Sequence, residues 1–316
     1  MTDHVYADLS GFGVQTKITR ENYREFSMPQ IEGPAFMKAY ALLPGIEIYY
    51  NDFHTDSHFV GENSLCRYYQ ISYCHSGMYV SRITAQRILK IQAKGLLMFT
   101  DIAKCLDAYM PLGYYKGINI MFYPDLMTEE TRTFLACFGI DIRQLFHNLL
   151  KDKAFSRFQA SSHVTELLEE LFGMTKKGDL PHMKLYLMHL LVEMGYYDGA
   201  VCEDYYFMSH KMETVMAEIK DYIERNMEQH ITLQELADRY QISVTSLKDN
   251  FKLLYGCGPY EFLKRYRMGR AETFLRETKL SIGEIGSRIG YENPSKFSAA
   301  FSKMYGMTPR EYRKIG

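Results

Sequence analysis

At 316 residues the chain is long for one hydrophobic core and comfortable for two. Apolar residues make up 47% and charged residues 24%, as in ordinary globular proteins, and no apolar run approaches the roughly 18–20 residues that span a bilayer, so no transmembrane helix is read and no membrane partner is expected. The net charge of −1 selects no partner, but it is unevenly spread: from Lys211 onward there are 18 basic and 14 acidic residues, a net of +4, against −5 for the remainder.

The first residues, Met1-Thr2-Asp3-His4, carry neither a basic stretch nor an apolar one, so a cytoplasmic protein is expected. Cys66, Cys74, Cys105, Cys137, Cys202 and Cys257 are scattered, with no C-x-x-C pair. That spacing suits neither a zinc site nor a redox motif, and no metal or cofactor is expected. From Pro44 to Asp125 the pattern is that of strands. Tyr69, Ile71 and Tyr73 alternate with Gln70, Ser72 and Cys74, and residues 46–50 and 117–122 do likewise. Leu96-Leu97-Met98-Phe99 suits a buried strand, and turn signals fall at Pro44-Gly45, Ser76-Gly77, Lys94-Gly95 and Pro111-Leu112-Gly113. Short strands at this spacing predict a small barrel or jelly roll over residues 1–125.

From Thr128 the period becomes helical, and residues 126–198 are expected as a helical region that includes 164–174 and 182–196. Leu187, Leu190, Leu191 and Met194 form an i, i+3, i+4, i+7 stripe. Such a stripe is either core within the domain or a homodimer seam. Residues 199–210 are expected as a linker to a C-terminal domain, 211–316.

That domain reads as helices 213–226, 233–240, 244–254, 259–277, 282–289, 294–305 and 309–313. Two helix-turn-helix units are contained in it. In the first, Leu233, Leu236 and Ala237 face inward, Tyr240-Gln241-Ile242 makes the turn, Ser243 caps the next helix, and Leu247, Phe251 and Leu254 form its core face. In the second, Ser281 caps a helix with Ile282, Ile285 and Ile289 inward. Gly290 ends it, Asn293 and Pro294 start the next, and Phe297 and Phe301 face the core. The joining helix of 19 residues is about 28 Å long, a length that suits two recognition helices about one DNA turn, around 34 Å, apart.

The run 290–301, Gly-Tyr-Glu-Asn-Pro-Ser-Lys-Phe-Ser-Ala-Ala-Phe, followed by Gly306-Met307-Thr308-Pro309-Arg310-Glu311-Tyr312-Arg313, resembles the AraC/XylS family of regulators. Leu247, Phe251, Lys252, Gly256, Pro259, Arg267, Ala271, Ile282 and Ile285 also fall where the family pattern places them. The resemblance covers residues 211–316 and implies a regulator that binds double-stranded DNA, is not an enzyme, acts as an activator and contacts RNA polymerase. Residues off the apolar stripes are then the candidates for base or phosphate contact: Thr245, Ser246, Lys248, Asp249 and Lys252 on the first recognition helix, and Asn293, Ser295, Lys296, Ser298, Ala299, Ser302 and Lys303 on the second. Lys252, Arg267 and Lys303 are expected as phosphate anchors rather than readers. Asp249 departs from the family, which carries basic or neutral residues there. It either accepts from a cytosine amine or pairs with Lys252 or Arg239.

The two-domain order also resembles regulators with a cupin-like N-terminal sensor and helical dimerisation elements, so the fold class expected is α+β followed by an all-α domain. A small β-barrel can hold one ligand. Tyr50, Tyr69, Tyr73, Phe99, Tyr109, Tyr115 and Phe122 would line it, with Arg67 beside them, which suits an apolar or aromatic effector. Alternatively these rings only fill the core, and the N-terminal domain only dimerises or binds a protein. A cupin-type metal enzyme is the remote alternative, because His54 and His58 lack the His-x-His spacing.

Overall fold

The computed structural model describes residues 14–29, 31, 33–55, 67–84, 87–101, 107–151, 153–197, 201–202, 206–207 and 210–315. His58, Cys66 and Cys105, and most of the expected linker, lie outside them. The chain divides into two compact units, Met1–Phe207 and Met208–Gly316.

The first unit is built on an antiparallel sheet: β1 (Gln15–Arg20), β2 (Tyr23–Ser27), β3 (Ala35–Leu43), β4 (Ile46–His54), β5 (Tyr69–Thr84), β6 (Arg87–Gln92), β7 (Leu96–Thr100), β8 (Asp107–Tyr109) and β9 (Tyr114–Phe122). They run in the order β1-β2-β3-β4-β9-β5-β7, and β5 also pairs with β6 and β8. The 16-residue β5 serves two sets of neighbours. Residues 69–73 pair with β7 and 78–84 with β6. The change comes at Gly77, whose φ is +86° and whose absent Cβ would stand 2.3 Å from the Tyr114 carbonyl oxygen, so a side chain is excluded there.

Helices cover one face of the sheet: α1 (Glu129–Ala136), α2 (Ile142–Leu150), α3 (Ser162–Lys177) and α4 (Leu180–Gly195). Thr128, Asp141, Ser161 and Asp179 cap them, each side chain accepting a backbone N–H of the first turn. Ile46, Ile48, Tyr50, Ile71, Tyr73, Ile118, Ile120 and Phe122 share a core with these helices. The opposite face carries a second core that includes Phe26, Tyr49, Phe53, Cys74, Leu97 and Tyr115. Burial of each such side chain contributes about 1.5–3 kcal/mol.

Glu169 of α3 fastens helix to sheet. It accepts from the Tyr73 hydroxyl, from His75 Nδ1 at 3.0 Å and from Lys94 at 2.5 Å, and the His75 ring stacks on Phe172 at 4.0 Å. Burial raises the Glu169 carboxyl, but these bonds outweigh it and hold the group below the usual carboxylate range.

Four expectations are corrected here. Strands begin before Pro44, with β1 to β3. The helical stretch 126–198 is interrupted by β10 (Phe155–Phe158), which pairs with β7. Within the expected linker, β11 (Val201–Cys202) pairs with β10 and β12 (Tyr206–Phe207) with β6. The stripe on α4 is core and not a seam: Leu187, Leu190, Leu191 and Met194 are 0–2% exposed.

The second unit is helical: α5 (His210–Arg225), α6 (Leu233–Arg239), α7 (Val244–Tyr255), α8 (Pro259–Glu277), α9 (Ile282–Arg288), α10 (Pro294–Tyr305) and α11 (Pro309–Ile315). α8 is a wall shared by two cores. Its Phe262 meets Phe251 of α7 edge-on at 5.6 Å, while Met268, Ala271 and Leu275 pack with Ile285, Ile289, Phe297 and Phe301.

Candidate nucleic-acid interface

The two halves of the second unit repeat one local design. Thr232 and Ser281 each close a capping box, with Glu235 and Glu284. Each first helix then ends in a Schellman turn. The N–H of Ile242 reaches the Ala237 carbonyl at 3.0 Å, and that of Tyr291 reaches the Gly286 carbonyl at 2.8 Å. The residue in the left-handed conformation is Gln241 (φ 53°) in the first half and Gly290 (φ 79°) in the second. Ser243 accepts from the Ser246 N–H at 3.0 Å, and Asn293 from those of Ser295 and Lys296 at 2.8 and 3.3 Å. Gly256 and Gly306, both left-handed, end α7 and α10.

These caps fix which way the second helix of each half faces. Leu247, Phe251 and Leu254 are buried on α7, and Phe297 and Phe301 on α10. Thr245, Lys248, Asp249 and Lys252 are left exposed on α7, and Ser295, Lys296, Ala299 and Lys303 on α10. Ser298 and Ser302 are half-buried on α10, and Ser246 is half-buried, its hydroxyl accepting from Asn250 at 3.0 Å. Asn293 is exposed, but its side-chain oxygen is occupied by the cap. Lys248, Lys252, Lys296 and Lys303 form no ion pair among the described residues, so four ammonium groups stand ready for an anionic partner.

Two site expectations change. Arg267 is not a free phosphate anchor: its Nε donates to the Met227 carbonyl at 2.7 Å and its Nη2 to that of Gln229 at 3.0 Å, while the guanidinium lies 5.8 Å from the Tyr291 ring centroid. It ties α8 to the segment before α6 and sits against Gly290, where a Cβ would stand 2.6 Å from Nη2. Burial lowers its pKa. Asp249 does not pair with Lys252 or Arg239. Arg239 lies over the Tyr222 ring at 4.3 Å, and the Asp249 carboxylate is exposed without an ion pair among the described residues. Sequence reasoning also passed over Tyr260. It is 72% exposed, beside a cleft of about 740 Å³ between the halves that Asn293 and Lys296 also line.

In the first unit the expected effector residues do not line one chamber. Tyr50 stacks on Phe172 at 5.5 Å and Tyr69 on Phe146 at 4.7 Å, Phe122 meets Phe146 edge-on, and Tyr73 binds Glu169, all on the helix-covered face. Tyr115 and Phe99 pack on the opposite face, and Tyr109 lies on β8 against Val80. Arg67 is exposed and pairs with Asp125 at 3.2 Å. His54 pairs with Asp52 at 3.0 Å. Cys74, Cys137 and Cys257 are free thiols, and burial pushes that of Cys74 up to about 12.

Two helix-turn-helix units on a shared helix, each presenting a capped helix with unpaired lysines, define a DNA-binding domain of the doubled type. A helix-turn-helix domain family matches residues 236–315. Among curated proteins, the uncharacterized HTH-type transcriptional regulator YdiP of Escherichia coli is 32% identical over 33% of this chain and 34% of its own length. The lactose operon transcription activator of Staphylococcus xylosus is 36% identical over 29% of this chain and 33% of its own. Among solved structures, the C-terminal domain of AraT, a response regulator from Geobacillus stearothermophilus, is 31% identical, with 32% of this chain and 85% of that one covered and a TM-score of 0.31. The match thus spans about a third of these curated relatives. The C-terminal unit is similar to the DNA-binding part of HTH-type and AraC-like transcription regulators. No helix of the described residues is long and apolar enough to cross a membrane.

Proposed function

We propose that the protein is a sequence-specific transcription regulator, an activator by likeness to relatives so named, whose α7 and α10 enter adjacent major-groove segments of double-stranded DNA. The observation that carries this reading is the pair of capped recognition helices with Lys248, Lys252, Lys296 and Lys303 outward and unpaired. Lysines on phosphate supply affinity and position, and the neighbouring Thr245, Ser295, Ser298 and Ala299 supply contacts to base edges. In this reading the protein is cytoplasmic, works as a homodimer and touches RNA polymerase. The N-terminal sheet serves as a cupin-like sensor for a small apolar or aromatic molecule.

The test is selection of genomic DNA fragments by the full chain at one fixed salt concentration. Enrichment of a bipartite motif with half-sites about one helical turn apart supports the reading, and absence of any enriched sequence at moderate salt removes it. A second reading is favoured by one observation: four of the eight expected effector residues are committed to the core beneath the helices. The N-terminal unit would then only dimerise or bind a protein. A stoichiometric rise in melting temperature with a small aromatic compound counts against that alternative.

A further inference from the structure

α3 and α4 form an antiparallel hairpin, joined at Gly178 and Asp179, so the start of α3 lies beside the end of α4. His163 stands in the first turn of α3. His189 and Glu193 occupy the last two turns of α4, four residues apart and therefore on one face. Glu193 Oε1 lies 3.7 Å from His189 Nε2 and 3.9 Å from His163 Nε2, and the imidazole centroids are 5.2 Å apart. All three donor atoms fall within 4.8 Å of one another. Donors bonded to a tetrahedral ion at about 2.0–2.1 Å are about 3.4 Å apart. The two carboxylate–imidazole separations need close by only a few tenths of an ångström and the two imidazole nitrogens by at most about 1.4 Å, and as the side chains are 37–51% exposed they are free to do so.

The local electrostatics point the same way. The last turn of α4 contains no basic residue, so within that turn nothing offsets the Glu193 carboxylate at the negative end of the helix dipole. A dication there removes the conflict. Two nitrogens and one carboxylate suit a borderline ion such as zinc. Calcium and magnesium take oxygen ligands.

We propose that His163, His189 and Glu193 bind one zinc-class divalent ion, which staples the start of α3 to the end of α4 and leaves a fourth coordination position open to water or another donor. The test is titration of the metal-free full chain with zinc chloride, with magnesium chloride in parallel, followed by calorimetry and thermal melting. The expected result is one more zinc equivalent for the native chain than for the His163→Ala/His189→Ala variant. A rise in melting temperature should occur with zinc and not with magnesium, and affinity should fall at least about tenfold in Glu193→Gln. Equal stoichiometry and affinity in the native chain and the double variant, including no binding to either, overturns the site. Should the double variant fail to fold by circular dichroism, the near-isosteric Glu193→Gln decides: zinc affinity and melting shift unchanged from the native chain also overturn it.

Discussion

Arg267 and Lys296 are both cations beside the second recognition turn, yet the structure gives them different work. Arg267 spends its donors on two backbone carbonyls, so Arg267→Ala leaves the Met227 and Gln229 oxygens without them. Chemical denaturation is expected to show a loss of about 1.5–3 kcal/mol. Lys296→Ala is expected to leave stability within about 0.5 kcal/mol. It should instead weaken DNA binding and reduce the slope of log affinity against log salt by about one. An unchanged slope with unchanged affinity would remove Lys296 from the interface. At Glu169 the sign follows from its depressed carboxyl: the stabilisation is present above the ordinary carboxylate pKa, about 4.3, and is lost as pH falls through the lower folded value. Glu169→Gln should therefore destabilise the protein at neutral pH, with the gap to the native chain narrowing in acid. A gap that widens in acid would show that the bonds from Lys94, Tyr73 and His75 do not favour the charged form.

At the scale of elements, the paired turns make an internal control. Gln241 pays for a left-handed backbone that Gly290 adopts freely. Gln241→Gly is expected to raise stability by about 1 kcal/mol, and Gly290→Ala to lower it by about 2–3 kcal/mol. The second cost is the larger because the new Cβ would also stand 2.8 Å from the Glu228 carbonyl oxygen. The C-terminal helices were legible because their ends carry chemical marks. Pro259 and Pro294 open α8 and α10, Gly306 closes α10, and the expected spans of both helices are those observed. Their buried faces follow from simple spacing. β1 leaves no such mark, since all six of its residues are exposed and the alternation is absent. Of the two readings of the aromatic set, a single lining does not fit the strand parity. Tyr115 and Phe122 sit an odd number of residues apart on β9, so parity alone puts them on opposite faces. The remaining rings needed the strand register, which includes a shift between Cys74 and Ser76. His189 and Glu193 can be paired from their spacing, but their meeting with His163 needs the hairpin.

For the whole molecule, the α4 stripe and the recognition helices lead to separate measurements. Leu187 is fully buried within its own unit, so Leu187→Ala should cost about 2–5 kcal/mol in unfolding experiments. Were it a seam, the cost would depend on protein concentration, which dilution over two decades would reveal. Under the proposed function, the uninterrupted α8 has a further consequence for how DNA would be held. Once α10 is seated, α7 meets its segment as an intramolecular event, at an effective concentration set by a rod of about 28 Å. A rod has no slack to take up. Inserting about five base pairs between the two segments turns one of them to the far side of the duplex, and inserting a full turn carries it out of reach. Both insertions should return the affinity to that of a single head, so the spacing of the operator would be inherited from the length of one helix.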